Sequence, residues 1–335
     1  MLLFPAVFFG QVVYALFTPL DVIEGEPDAL DYYSLQQRPE AWHRIVDEEL
    51  FTERDLMVID GSTATVPIKA ELYRQFVETS ETELYPESSV VHSTTHSAYL
   101  NLIDREEVLG YYAENGKDAV RSAPVISLIL VTPPSEDELR HAKDAGVTLD
   151  MEPVARDGFV FIVNKENPVD SLTIEQIQGI YSGAITNWEQ VGGNNQEIQA
   201  FQRNENSGSQ TAMEQLVMQG TPMAAPPKVA VIEGMGSLVS RVAEYQNGTG
   251  NIGYTYRYYL ENLYRNENVK MLRVEGIAPS DVNLQNESYP FTTSYYAIIR
   301  DDEPTGSPAR RLRDFLLTET GQKIIELAGY CREVQ

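Results

Sequence analysis

The chain has 335 residues, of which 42% are hydrophobic and 22% are charged, the composition of a globular protein rather than a disordered or fibrous one. This length exceeds what one minimal domain needs and favours two lobes. Acidic residues outnumber basic residues 50 to 25, giving a formal net charge of −25. A field of this sign repels nucleic-acid backbones, so we expect no nucleic-acid partner. The same field opposes the approach of a small anion, so any anion-binding site must rely on hydrogen-bond donors close to the anion.

Cysteine and histidine usage argues against common metal and redox sites. Cys331 is the single cysteine of the sequence, so no intrachain disulfide and no cysteine-based metal cluster can form. His92 and His96 are spaced to chelate a metal from one helix face, but no acidic or thiol ligand near them in the sequence completes a set. We therefore expect neither a metal nor a cofactor.

Residues 1–22 form an apolar segment that is similar to an anchor or a signal. Met1–Leu20 contains no charged residue and has about the length of a membrane span. However, Pro5, Gly10 and Gln11 interrupt the segment, and no Lys or Arg precedes it as a signal would require. Two interpretations stay open: a membrane anchor or signal, and an apolar strand or helix packed on the body.

Residues 23–49 predict a linker with a short helix around 39–48, and we expect the folded body to begin near Leu50. From there, strand-like apolar runs alternate with helix-like runs. In chain order these runs are 56–59, 69–79, 88–92, 97–105, 125–131, 135–145, 159–164, 174–182, 198–202, 210–218, 237–246, 251–259, 294–300 and 310–328. The alternation predicts an α/β fold with mostly parallel sheets, whose ligand sites lie beyond the carboxyl ends of the strands. Residues 108–123 match neither period and indicate a surface insertion.

Three loops of small hydroxyl residues each leave a strand-like run and enter a helix-like run. They are 60–64 (DGSTA), 92–96 (HSTTH) and 203–209 (RNENSGS). Hydroxyls and main-chain N–H groups at a helix N-terminus favour negative charge, although the same pattern also describes an ordinary N-cap. In the third loop Arg203 adds a planar fork of donors suited to an oxyanion. The alternative there is a surface arginine paired with Glu205.

The order of these segments resembles the phosphate-binding proteins of bacterial high-affinity phosphate ABC transporters, from Met57 to Tyr330. The stretch FVFIVNKENPVDSLTIEQIQGIYSGAITNWEQVGG at 159–193 is similar to the signature of that family. YPFTTSYYAII at 289–299 and FLLTETGQKIIELAGY at 315–330 are similar to its C-terminal pattern. The resemblance implies an α/β, two-lobe periplasmic-binding-protein-like fold of type 2. Each lobe would be a mixed, mostly parallel sheet flanked by helices, with the ligand cleft between the lobes.

By this resemblance, lobe one comprises residues 50–153 and 291–335, and lobe two comprises residues 154–290. The implied function is that of an extracytoplasmic solute-binding protein that captures inorganic phosphate, or a similar tetrahedral oxyanion, by hinge closure and delivers it to ABC permease subunits. We expect a monomer without enzymatic activity, with a possible membrane attachment through residues 1–22. The alternative is a membrane-tethered sensing or adaptor module that binds an anion without a transport role.

Transferring the family's roles to matching motifs gives a set of candidate ligand-binding residues. They are Ser62, Thr63, Ala64, Ser93, Thr132, Arg203, Ser207, Gly208 and Ser209. One position departs from the family, which usually carries an Asp after a lobe-one strand that accepts the proton of a protonated phosphate and repels sulfate. Thr132 stands at that place, and because a threonine hydroxyl can donate or accept, charge-based rejection of sulfate does not follow for this chain.

Overall fold

The computed structural model describes residues 43–46, 50–77, 92–105, 109–114, 117–122, 125–225, 231–232, 234–243 and 248–333. The apolar segment 1–22 lies outside these residues, as do most of the linker 23–49 and the strand predicted at 88–92, apart from His92. In the part of the chain that is described, no helix is long and apolar enough to cross a membrane.

Helices and strands alternate along most of the described chain, which confirms the α/β prediction. The helices are α1 (Glu53–Leu56), α2 (Val66–Phe76), α3 (Thr95–Asp104), α4 (Glu136–Asp144), α5 (Ile174–Tyr181), α6 (Gly208–Ala212), α7 (Met235–Ala243), α8 (Asp281–Gln285), α9 (Pro308–Leu316) and α10 (Glu319–Leu327). The strands are β1 (Ile59–Gly61), β2 (Leu109–Glu114), β3 (Lys117–Ser122), β4 (Leu128–Val131), β5 (Leu149–Asn164), β6 (Ser171–Leu172), β7 (Gln199–Ala200), β8 (Gln202–Arg203), β9 (Val231–Ile232), β10 (Asn251–Tyr256), β11 (Val269–Met271), β12 (Arg273–Val274), β13 (Thr292–Arg300) and β14 (Cys331–Arg332).

One mixed sheet runs through the molecule in the order β1-β4-β13-β5-β10-β7, with β11 and β14 also paired to β5. The pairs β1/β4 and β10/β7 are parallel, whereas β13 and β10 run antiparallel to β5. The long strand β5 pairs with β13 over Leu149–Gly158 and with β10 over Phe159–Val163. A single strand therefore connects the two parts of the sheet. The lobe boundaries at residues 153 and 290 stay a prediction.

The hydrophobic core is centred on the second half of β5. The side chains of Phe159–Val163 are completely buried, and the rings of Phe159 and Phe161 lie 5.5 and 6.4 Å from the ring of Tyr254 on β10. A strand that is buried on both faces carries a continuous apolar run rather than an alternating one. This is why the run FVFIV was recognisable as a strand from the sequence.

Two predicted elements have different bounds in the structure. The strand predicted at 251–259 ends at Tyr256, and the chain continues into a helical turn that includes a π-helix over Tyr259–Leu263. Within residues 108–123, predicted to be a surface insertion, β2 and β3 form an antiparallel hairpin.

The helix predicted at 310–328 is divided into α9 and α10, which is a further correction. Thr318 begins the second helix, since its hydroxyl accepts the N–H of Gly321 at 3.1 Å. A Cβ at Gly321 would lie only 2.6 Å from the Leu316 Cα, so the two helices approach each other more closely than any larger residue permits. A larger residue could not stand where the two helices meet, and periodicity alone does not reveal this contact.

Candidate functional site

The first hydroxyl loop lies against the carboxyl end of β4. The Ser62 N–H donates to the Leu130 carbonyl at 3.0 Å, and the Thr65 hydroxyl lies 2.7 Å from the same oxygen. A Cβ at Gly61 would come within 2.8 Å of His92 Nδ1 and closer still to the Leu130 oxygen. Only glycine permits this approach, so the sequence Gly-Ser-Thr holds the loop against the sheet.

The C-terminal part of the chain also holds this loop. The hydroxyl of Tyr330 donates a hydrogen bond to the Ala64 carbonyl, and the Tyr330 ring stacks on Tyr258, with 3.8 Å between ring centroids. Ser62 and Ala64 are buried, and Thr63 is half-buried. The loop is therefore fixed from two sides before a ligand enters.

The second hydroxyl loop is connected to the first through Asp60, the last residue before Gly61. The Asp60 carboxylate is 4% exposed and accepts hydrogen bonds from four donors. These are the N–H of Gly61 at 2.7 Å, the N–H and hydroxyl of Ser93 at 2.8 and 2.5 Å, and the Asn101 side-chain amide at 2.9 Å. His92 Nδ1 donates to the Ser62 carbonyl at 2.9 Å. Sequence reasoning missed Asp60, although an acidic residue at the end of an apolar run was the available signal.

Three titratable side chains are buried at these two loops: Asp60 in the first loop, His92 in the second loop, and Lys69 in α2. Burial lowers the pKa of Lys69 to about 8, against the opposing charge of Asp60, and Lys69 Nζ donates to the Ile59 carbonyl at 2.7 Å. Burial and the charge of Lys69 lower the pKa of His92 to about 4. Burial acts to raise the pKa of Asp60, but the charge of His92 and the hydrogen bonds from Ser93 and Asn101 hold that pKa below its ordinary value. At neutral pH, Asp60 is ionised and His92 is neutral.

The third loop supplies Arg203 at the end of β8. Its guanidinium is held by a hydrogen bond from Nε to the Ile232 carbonyl at 2.8 Å, and Nη1 lies 3.4 Å from Ser209 Oγ. The residue is 8% exposed, so the alternative of a surface arginine does not apply. Ser207 caps α6, since its hydroxyl accepts the N–H of Gln210 at 3.3 Å. The third loop therefore contains both a helix N-cap and an arginine side chain that is held in place.

The third loop packs at Gly208 against Thr132 and Thr95. A Cβ at this position would lie 2.5 Å from Thr132 Oγ1 and 2.9 Å from Thr95 Oγ1. Thr132 Oγ1 is buried without a hydrogen bond of ordinary length, and the nearby Tyr256 hydroxyl donates to the Gly208 carbonyl at 3.1 Å. The start of α6 thus lies directly over the carboxyl end of β4 and the start of α3.

Two further contacts join the predicted lobes beside this point. The Asn206 side-chain amide donates to the Asp137 carboxylate at 3.3 Å, and the Gln215 side-chain amide donates to the Pro134 carbonyl at 3.0 Å. Asn206 has a positive φ of 62°, which turns its side chain out of the loop ahead of α6. Together with Gly208, these contacts bring the two halves of the molecule together.

The structure therefore brings the three predicted loops to one region. Ser62 is linked to the second loop by His92, Ser93 is linked to the first by Asp60, and Gly208 lies on Thr132. The role of the candidate residues as ligand contacts stays a prediction. In the described ranges, no group of three or more His, Cys, Asp or Glu side chains could hold a metal ion.

Curated relatives resemble this chain over part of its length. The phosphate-binding protein PstS of Bacillus subtilis is 27% identical over 194 residues, which cover 58% of this chain and 60% of that protein. PstS of Staphylococcus epidermidis is 27% identical over 204 residues, which cover 59% of this chain and 61% of that protein. The match thus spans about three fifths of the length of these relatives. Their names confirm the resemblance to phosphate-binding proteins.

Solved structures resemble the fold. A putative phosphate ABC transporter substrate-binding protein with bound phosphate from Clostridium perfringens has a TM-score of 0.58 and 24% identity, covering 82% of this chain and 98% of that chain. An ABC-type phosphate transport receptor from Vibrio cholerae has a TM-score of 0.55 and 24% identity, with coverage of 82% and 99%. These likenesses support the two-lobe architecture.

The family model described as PBP superfamily domain matches residues 114–317. This range includes the carboxyl end of β4, the long strand β5, and all of the third loop. The chain therefore belongs to the PBP superfamily.

Proposed function

We propose that this chain is an extracytoplasmic solute-binding protein that captures inorganic phosphate, or a similar tetrahedral oxyanion, and delivers it to an ABC permease. The observation that carries this proposal is the convergence of three donor-bearing loops from opposite halves of the molecule, with Gly208 of one half lying on Thr132 of the other. The names of the relatives favour phosphate as the anion. The same names give no support to the alternative of a sensing or adaptor module.

The proposed ligand contacts come from both lobes. Lobe one, residues 50–153 and 291–335, contributes the loop at 62–64 with Ser93 and Thr132. Lobe two, residues 154–290, contributes Arg203 and the start of α6. Charge-assisted hydrogen bonds from a buried guanidinium and from main-chain N–H groups are strong because the surrounding protein excludes water.

The net charge of −25 does not prevent this function. Surface charges act through water and are screened beyond about 8–10 Å at physiological ionic strength. The donors of the site act at hydrogen-bond distance, and buried Lys69 places a positive charge beneath the first loop. Local donors therefore dominate the ligand's free energy of binding.

The position of β5 and the contacts between the predicted lobes support a mechanism of hinge closure. A ligand that binds to both lobes stabilises the closed state over the open state. The bonds Asn206–Asp137 and Gln215–Pro134 would add to the stability of the closed state. We propose that a permease receives the ligand from this closed form.

Calorimetric titration of the full chain with phosphate, arsenate, sulfate and molybdate tests the proposal. We expect saturable binding of phosphate at one site per chain. Arg203→Ala is expected to weaken phosphate binding at least about 100-fold, since losing two charge-assisted hydrogen bonds costs about 3 kcal/mol or more. Arg332→Ala, which removes an arginine whose side chain is 42% exposed, is the matched control and should bind as the wild type does. Unchanged affinity in a folded Arg203→Ala variant would refute the site.

A further inference from the structure

Both donors of Ser93 are used by Asp60. Its main-chain N–H donates to Asp60 Oδ1 at 2.8 Å, and its hydroxyl donates to Asp60 Oδ2 at 2.5 Å. A serine hydroxyl carries one proton and two lone pairs. Because the proton points to Asp60, the Ser93 oxygen has only its two lone pairs left, one of which faces the Asn101 side-chain amide at 3.4 Å.

The direction of this hydrogen bond is fixed by the charge of Asp60. The carboxylate receives N–H donors from Gly61 and Asn101 as well as from Ser93, and an ionised carboxylate only accepts. Burial works against ionisation, but the hydrogen bonds from Ser93 and Asn101 help to hold the Asp60 pKa below its ordinary value. If the Ser93 hydroxyl turned away from Asp60, a buried carboxylate oxygen would lose one of its hydrogen-bond donors.

Ser93 lies near the region where the loops meet. The residue is exposed, while its neighbour His92 is buried. Two residues further on, Thr95 lies against Gly208 of the third loop. This places Ser93 close to the first and third loops, between which the ligand is proposed to bind.

We propose that Asp60 makes Ser93 a hydrogen-bond acceptor of the cleft, so that the site selects oxyanions that carry a proton. This inference rests on the proposed function. At neutral pH, phosphate and arsenate keep a proton on one oxygen, whereas sulfate and molybdate are fully ionised. The proton can bond to the Ser93 lone pair, but a bare anionic oxygen there meets a lone pair and is repelled. Asp60 and Ser93 thus act as specificity-determining residues at a place independent of Thr132.

The test compares phosphate and sulfate affinities by calorimetry in the full chain and in Asp60→Asn. The asparagine amide can donate to Ser93 Oγ, which frees the serine proton to turn toward the ligand. We expect phosphate to bind more weakly and sulfate more tightly, so the ratio of the two affinities falls about tenfold or more, the usual effect of one hydrogen bond. Asp144→Asn, which removes an exposed acidic side chain on α4, is the charge-matched control and should keep the wild-type ratio.

A second variant separates the direct effect from a structural one. Ser93→Ala removes the acceptor, so it should also lower the phosphate-to-sulfate ratio. In the Ser93→Ala background, Asp60→Asn should change the ratio by less than about twofold, because the two residues act through one hydrogen bond.

The outcomes distinguish this inference from the proposed function. If the wild type does not bind phosphate, the proposed function fails. If the wild type binds phosphate and a folded Asp60→Asn variant keeps the wild-type ratio, the inference is wrong while the proposed function stands. If Asp60→Asn does not fold, judged by its thermal transition, Ser93→Ala decides, and an unchanged ratio there overturns the inference.

Discussion

Asp157 is a buried carboxyl group on β5, directly before the point where the strand changes partner from β13 to β10. It accepts the N–H groups of Gly158 at 2.7 Å and Tyr258 at 3.2 Å, and the hydroxyl of Tyr295 at 3.2 Å. Burial raises its pKa to about 7, although these hydrogen bonds and the charge of Arg257 oppose the rise. The folded protein therefore holds a proton here that the unfolded chain releases.

This gives a prediction for stability against pH. The folded-state pKa lies above the ordinary value of 3.8, so the contribution of Asp157 is fully present below about pH 4 and is lost as the pH rises to about 7, by about 1.4 kcal/mol per unit of pKa difference. Asp157→Asn resembles the protonated form, and it should remove this dependence and be more stable than the wild type above pH 7. Urea unfolding at several pH values between 4.5 and 8 measures this pH dependence of the free energy of unfolding. Asp144→Asn should keep the wild-type slope, and an equal slope in Asp157→Asn would contradict the prediction.

At the scale of elements, hydroxyl caps decide where helices begin. Thr318 caps α10, and Ser135 forms a capping box with Glu138 at the start of α4, where the serine hydroxyl accepts the Glu138 N–H at 3.3 Å and the glutamate accepts the Ser135 N–H at 2.7 Å. Each cap satisfies a main-chain N–H that has no partner inside the helix. Serine and threonine residues therefore cap helices and are also found among the candidate ligand contacts.

Replacing an N-cap residue should lower the free energy of unfolding more than replacing the same residue type within the helix. Thr318→Ala removes the acceptor for the Gly321 N–H and is expected to lower the free energy of unfolding by about 1 kcal/mol. Thr320→Ala, at an exposed position in the same helix, should be neutral or slightly stabilising because alanine favours the helix. Thermal or urea unfolding of both variants checks this, and equal effects would show that the cap does not stabilise α10.

For the whole molecule, closure depends on how near the two lobes can come. Gly208 is one point of contact between the predicted lobes, where a Cβ would meet Thr132 Oγ1 at 2.5 Å. A side chain at this position is therefore expected to oppose closure.

Gly208→Ala should separate affinity from stability. We expect phosphate affinity to fall about tenfold, since displacing a well-packed contact by one methyl group costs about 1–3 kcal/mol, with a nearly unchanged thermal transition in the absence of ligand. Gly276→Ala is the control, since its φ of 77° makes alanine strained in an open turn. It should reduce stability and leave affinity unchanged. Wild-type affinity in Gly208→Ala would show that closure does not need this contact.

The amino-acid sequence by itself determined the features that depend on neighbours along the chain. The continuous apolar run at Phe159–Asn164 indicated a buried strand, and the loop motifs indicated the family and the three places where an anion could meet donors. Each of these features follows from local propensity, because hydrophobic period and capping act over a few residues.

Only the tertiary structure decided which polar groups are partners. Asp60 meets Ser93 and Asn101, which are 33 and 41 residues further along the chain, and their contact fixes the direction of a proton that no spacing rule predicts. Gly321 lies against Leu316 where the last predicted helix is divided, and Gly208 lies against Thr132 from a distant part of the chain. These facts depend on distances between segments that folding brings together, so they follow from packing and not from the order of residues.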